Sequence, residues 1–302
     1  DITASADIPG LTVNGHSITE GAGGSGDTAW TATGSTCYLK GMGPYVVSGS
    51  ATSSRVTVRH DCSVVVSNLF VNNVDVDYPC FDCDGYTVNL LLAGANAFTA
   101  GNGRPGIEVD ATGNTGDSST LVISNLTADA TLVAQGGSNG AGIGSKPDIE
   151  CGTVEIRGGI VTAKSGKNGA GIGGGNDGKG GTVRIYGGTV VADSYDAIAD
   201  DIGAGYEGGQ GTTLICGGSV RCQSGKSGPR PVNASGTDVY CVKITGLVLN
   251  VPVTNLVVDS GYPAIGDYGL NDVFPNADGN AYFWMPNGTR WFNVNTNHLW
   301  AR

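Results

Sequence analysis

Two short segments of this chain carry carboxylates at the same spacing. Residues 79–85 read PCFDCDG and residues 105–111 read PGIEVDA, which places Asp82 and Asp84 in the first segment and Glu108 and Asp110 in the second. On an extended strand residues i and i+2 share a face. Two such strands stacked side by side bring the four carboxylates into a two-by-two array, about 5 Å from strand to strand. Asp75 and Asp77 lie just upstream and add to it. Like charges stacked in this way need compensation, and three kinds are open. A calcium ion takes oxygen ligands and would bridge Asp82, Asp84, Glu108 and Asp110. One carboxyl with a raised pKa would remain protonated beside an ionised neighbour, as a general acid stands beside a nucleophile in glycosidases. Or the side chains fan into solvent and salt screens them. A lyase would also need a base. Arg104 is the basic residue close by, and a guanidinium is rarely deprotonated.

The other chemistry-bearing residues are more scattered. Trp284, Trp291 and Trp300, with Tyr282 and Phe283, would form either a stacking platform for sugars or the core of a small β unit. Trp30, Tyr38 and Tyr45 pose the same choice near the other end. Eight cysteines (37, 62, 80, 83, 151, 216, 222 and 241) are an even number, which in an exported chain predicts disulfides, without fixing their pairing. Cys80-Phe-Asp-Cys83 has no second CxxC to complete a zinc site, and His16, His60 and His298 lie far apart in the sequence. GKSG at 225–228 is not a phosphate loop, because the glycine that the motif requires upstream falls at Val220. HExxH does not occur.

What would position the carboxylates is a repeat. Segments that begin at Ser63, Thr87, Thr120, Thr153, Thr182 and Thr212 share a pattern, clearest in TVEIRGGIVTAKSG, TVRIYGGTVVADS and TTLICGGSVRCQSG, with a period of about thirty residues. Each unit holds three short β-like pieces separated by glycine turns. Aligning the units predicts three inward columns. The first is Phe81, Ile107, Ile143 and Ile172, continued by Ile198 or Ile202. The second is Val66, Leu90, Ile123, Ile156, Ile185 and Ile215. The third is Phe98, Leu132, Val161, Val190 and Val220, followed by Ala100, Ala134, Ala163, Ala192 and Cys222. A single rung cannot bury its own apolar face, but stacked rungs hydrogen-bond every strand and set like over like. The expected fold is therefore all-β: a right-handed, single-stranded parallel β-helix of about six rungs over residues 46–230. Residues 1–45 would form an N-terminal cap with edge strands, and residues 231–302 a small C-terminal β domain. The 52 glycines serve the corners, where positive φ or close backbone approach is needed.

The tandem GAGIG units at 140–144 and 169–173, each followed by a GTVxIxGGxVxA-like stretch, resemble a family of glycine-rich β-helix repeats in bacterial and archaeal cell-surface proteins. Members are often labelled carbohydrate-binding or adhesin-like. The resemblance covers about residues 56–225 and implies the fold more sharply than the function, because the repeated residues are those that stacking requires. The net charge of −11 argues against a nucleic-acid partner, and no apolar run is long enough to span a membrane. The opening DITASADIPG reads as a processed terminus. NLT, NAS and NGT make Asn125, Asn233 and Asn287 candidate glycosylation sites, so a secreted, cell-surface location is expected. The expected function is a non-catalytic extracellular surface or matrix protein, structural or adhesive, that binds polysaccharide or surface glycan and self-assembles head to tail into filaments. The alternative is a polysaccharide lyase or glycoside hydrolase that uses the carboxylates on one face.

Overall fold

The computed structural model describes residues 8, 10–19, 23–195 and 198–223, and the backbone of 239–246, 281–286, 290–294 and 297–301. The strands in chain order begin with β1 (Leu11–Val13), β2 (His16–Ser17), β3 (Trp30–Thr33), β4 (Thr36–Leu39), β5 (Tyr45–Thr52), β6 (Arg55–Val58) and β7 (Cys62–Asn72). Then each turn of the coil repeats a triplet: β8 (Phe81–Asp82), β9 (Thr87–Ala93), β10 (Ala95–Thr99); β11 (Ile107–Glu108), β12 (Thr120–Asn125), β13 (Thr131–Gln135); β14 (Ile143–Gly144), β15 (Thr153–Ile156), β16 (Ile160–Lys164); β17 (Ile172–Gly173), β18 (Thr182–Ile185), β19 (Thr189–Asp193); β20 (Ile202–Gly203), β21 (Thr212–Ile215), β22 (Ser219–Cys222). The remaining strands are β23 (Val239–Ile244), β24 (Ala281–Pro286), β25 (Arg290–Val294) and β26 (Asn297–Ala301).

The protein is an all-β parallel solenoid of about six turns. Its first side stacks β20-β17-β14-β11-β8-β6-β4, with β3 antiparallel at the end. The second side stacks β21-β18-β15-β12-β9 and the third β10-β13-β16-β19-β22. The long strand β7 bends from one to the other, pairing with β9 through its first half and with β10 through its second. Ile123, Ile156 and Ile185 pair in register and are fully buried in one common core. Alternation explains this: in Thr153-Val-Glu-Ile the apolar residues point in and the polar ones out.

Two predicted columns shift by two residues at the first regular turn. Leu90 stacks on Val64, and Val66 on Leu92. Leu132 stacks on Asn96, and Phe98 on Ala134. The physical reason is the bend between the second and third sides. Asn96 is buried there, its Oδ1 accepting the Leu69 N–H at 3.0 Å and its Nδ2 donating to the Thr131 carbonyl at 3.1 Å. A polar residue thus occupies an inward position because it satisfies backbone groups that the bend frees. On the first side Ile202 continues the column, and Ile198 is exposed.

The upper corners of the first side require glycine. Gly144, Gly173 and Gly203 stack in register with φ of 147°, 135° and 140°. A Cβ on Gly173 would lie 2.0 Å from the Gly203 carbonyl oxygen. At the N-terminal end β1 pairs antiparallel with β2 and with β5. Leu11–Val13 is therefore engaged in its own chain. At the other end β24 lies beside β22.

Candidate functional site

The carboxylates sit on the first side where acidic residues replace the glycines of the upper turns. β8 and β11 are parallel, with Phe81 opposite Ile107 and Asp82 opposite Glu108. Phe81 and Ile107 point into the core, so Asp82 and Glu108 point outward. The column continues to Gly144 above and Thr57 below. Asp84 follows β8 with φ 49°, a turn conformation, and donates its N–H to Asp82 Oδ1 at 3.0 Å. Asp110 follows β11 and makes an isolated antiparallel bridge with Cys151.

The side chains do not fan into solvent. Asp82, Asp84, Glu108 and Asp110 are only 7 %, 4 %, 7 % and 3 % exposed. Cations pair with Asp84, Glu108 and Asp110 instead. Arg59, at the end of β6, pairs with Asp84. Asn114, in the loop after β11, donates to Asp84 Oδ1 through its backbone N–H at 3.1 Å and its Nδ2 at 2.6 Å. Lys146, two residues past Gly144, donates through Nζ to Glu108 Oε1 at 3.1 Å and also pairs with Asp110. Arg104 bridges Asp77 at 3.1 Å and Glu108 at 3.4 Å. Asp75 is exposed, outside this network.

These contacts change the chemistry expected of the array. Burial, helped by the neighbouring Glu108, outweighs the nearby cations and raises the Asp82 and Asp110 carboxyls to about 7. Burial lowers the pKa of Lys146, but Glu108 and Asp110 outweigh it and the net shift is upward. An ammonium held in this way does not serve as the proton acceptor that a lyase needs. Among the described residues no group of three or more His, Cys, Asp or Glu side chains could hold a metal ion. The oxygens that calcium would use face guanidinium and ammonium groups. The Thr57 hydroxyl, beside Asp82 in register, is buried with no hydrogen-bond partner among the described residues.

Sequence reasoning placed Asp82 over Glu108 but missed Arg59, Asn114 and Lys146, and took Arg104 as the sole nearby base. Two of the three were within reach of the same rule. Gly144 lies over Glu108 and Thr57 under Asp82, so i+2 on the adjoining turns gives Lys146 and Arg59. Asn114 belongs to an irregular loop with no periodic signal.

No family model, curated protein or solved structure matches this chain. The remaining candidate residues are therefore placed by geometry alone. Cys37, Cys62, Cys80, Cys83 and Cys151 are buried free thiols, contrary to the expected disulfide framework. They behave as small core residues: burial pushes the Cys37 and Cys62 thiols up to about 12. Asn125 ends β12 at an exposed turn, with its Nδ2 donating to the Thr127 carbonyl at 2.8 Å. Asn233 and Asn287 lie outside the described residues. So do the side chains of Trp284, Trp291 and Trp300, although the backbone sets Trp291 opposite Trp300 and Trp284 opposite Cys241. At the N-terminal end Trp30 and Tyr45 are core residues, and the Tyr45 hydroxyl donates to the Ala29 carbonyl at 2.7 Å.

Proposed function

We propose that this protein is a non-catalytic extracellular surface or matrix component, whose long regular faces bind glycan and whose ends allow head-to-tail association. The observation that carries this is the pairing of the carboxylate array with cations inside the fold. Asp84, Glu108 and Asp110 each meet Arg59, Arg104 or Lys146, and all four acids are nearly sealed from water. The array is then an ionic brace between turns rather than a centre of turnover. The resemblance to cell-surface repeat proteins supports the same assignment, and so does the sequon at Asn125, whose neighbours Leu126 and Thr127 are exposed. Buried thiols lend export no support.

A glycosidase is the second reading, favoured by one observation: Asp82, raised to about 7, stands opposite Glu108 in register. One assay separates the two. The protein is incubated for days with neutral and with acidic polysaccharides, and new reducing ends and unsaturated sugars are measured. The expected result is no product. Product that disappears in Asp82→Asn and in Glu108→Gln, with folding intact, would overturn the non-catalytic assignment.

A further inference from the structure

The outer face of the third side is built differently from the rest of the surface. Its outward residues form three columns, one of them through Ala95, Thr131, Ile160, Thr189 and Ser219. Of the other two, which are adjacent, one runs Ser50, Phe70, Ala97, Val133, Thr162 and Val191 in register. The other runs Thr52, Asn72, Thr99 and Gln135; charge enters at Lys164 and Asp193 in this column and at Arg221, beyond Val191, in its neighbour. At the N-terminal end of these columns lies an open trough of about 470 Å³, lined by Ser50, Thr52, Phe70, Asn72, Ala97 and Thr99 over a floor that includes Val71. That volume falls in the range of small-ligand sites.

Three features of the trough point to one kind of ligand. Phe70 is 41 % exposed and presents a ring to solvent. Around it the hydroxyls of Ser50, Thr52 and Thr99 make no hydrogen bond to any described residue, and among the described residues Asn72 Oδ1 accepts only the Val74 N–H, at 3.2 Å. None of the lining side chains is ionisable, on a protein of net charge −11. An acidic sugar would meet a negative molecule with no cation in the site to receive it. One aromatic ring among small and neutral polar groups is too little apolar surface for a stable protein interface. It suits a sugar ring, which offers an apolar face to stack and hydroxyls on its edge to bond. The floor is held by parallel pairing of β5, β7 and β10, so the site is formed before any ligand arrives.

We propose that this trough binds a neutral glycan chain. One sugar stacks on Phe70, Ser50, Thr52, Asn72 and Thr99 bond its hydroxyls, and the chain continues along the coil over Val133 and Thr162. The proposal rests on the glycan-binding assignment above and gives it a place and a ligand class.

The test is a printed panel of neutral and of acidic oligosaccharides, probed with the intact protein and with Phe70→Ala, Asn72→Asp and Tyr186→Ala. Tyr186 is an exposed ring on another side of the coil and serves as control. The wild type is expected to bind a subset of the neutral sugars, with Phe70→Ala weaker by at least about tenfold, Asn72→Asp weaker also, and Tyr186→Ala unchanged. Neutral binding that survives Phe70→Ala overturns the site and leaves the glycan-binding assignment standing. Binding confined to acidic sugars overturns the ligand class. Binding to none of the panel overturns both. A dimer in sedimentation that Phe70→Ala dissociates also overturns the site, since a second copy would then cover this face.

Discussion

At the scale of single residues the carboxylate array acts as a pH-sensitive brace. Asp82 and Asp110 titrate near 7 in the folded chain and near 3.8 as isolated groups. A raised carboxyl pKa means that the fold prefers the protonated form. Their stabilising contribution is therefore complete below pH 4 and is lost as pH rises through 7. Thermal melts between pH 5 and pH 8 should show stability falling by on the order of a few kcal/mol, and Asp82→Asn should flatten that slope. A melt that rises over this range contradicts the assignment. Thr57 tests the neighbouring position. Its buried hydroxyl has no partner among the described residues, so Thr57→Val should be neutral or stabilise by about 1 kcal/mol in denaturant titration. The buried thiols give a third check: in the folded protein Cys37, Cys62, Cys80, Cys83 and Cys151 should resist alkylation, and mass spectrometry should find them modified only after unfolding.

At the scale of the strand the glycine corners and the aliphatic ladders divide the work. Gly173→Ala would drive a Cβ into the Gly203 carbonyl at a backbone angle that L-residues rarely adopt, and should cost several kcal/mol, more than Ile156→Ala, which deletes buried methyls for about 2–5 kcal/mol. Urea titration of the two variants gives the order. The same elements show what the sequence made legible. Ile123, Ile156, Ile185 and Ile215 were readable as a column because each unit repeats Thr, two variable residues and Ile with a fixed offset. Val66 and Phe98 were misplaced by two because a turn between sides can absorb two residues without disturbing alternation, and only the buried hydrogen bonds of Asn96 pin it. The acids were legible as an array, since their i, i+2 spacing repeats. Their burial was not, since Lys146 and Arg59 arrive from different turns.

At the scale of the whole molecule, each turn contacts only its neighbours, so the weak point is where the repeat changes character. That point is the passage from the acidic turns to the glycine turns, and Lys146 spans it, joining Glu108 and Asp110 of one turn from the turn above. If the carboxylates serve the stack rather than a reaction, the Glu108–Lys146 contact must show up in global stability. The direct measurement is a double-mutant cycle of urea unfolding on Glu108→Gln, Lys146→Met and the double variant. Lys146→Met should lose roughly 3–5 kcal/mol, because it removes the cation that Glu108 and Asp110 share and leaves Glu108 with Arg104 alone, and the double variant should recover part of that, with a coupling of about 1–3 kcal/mol. Single variants as stable as the wild type, or losses that simply add, would contradict the account.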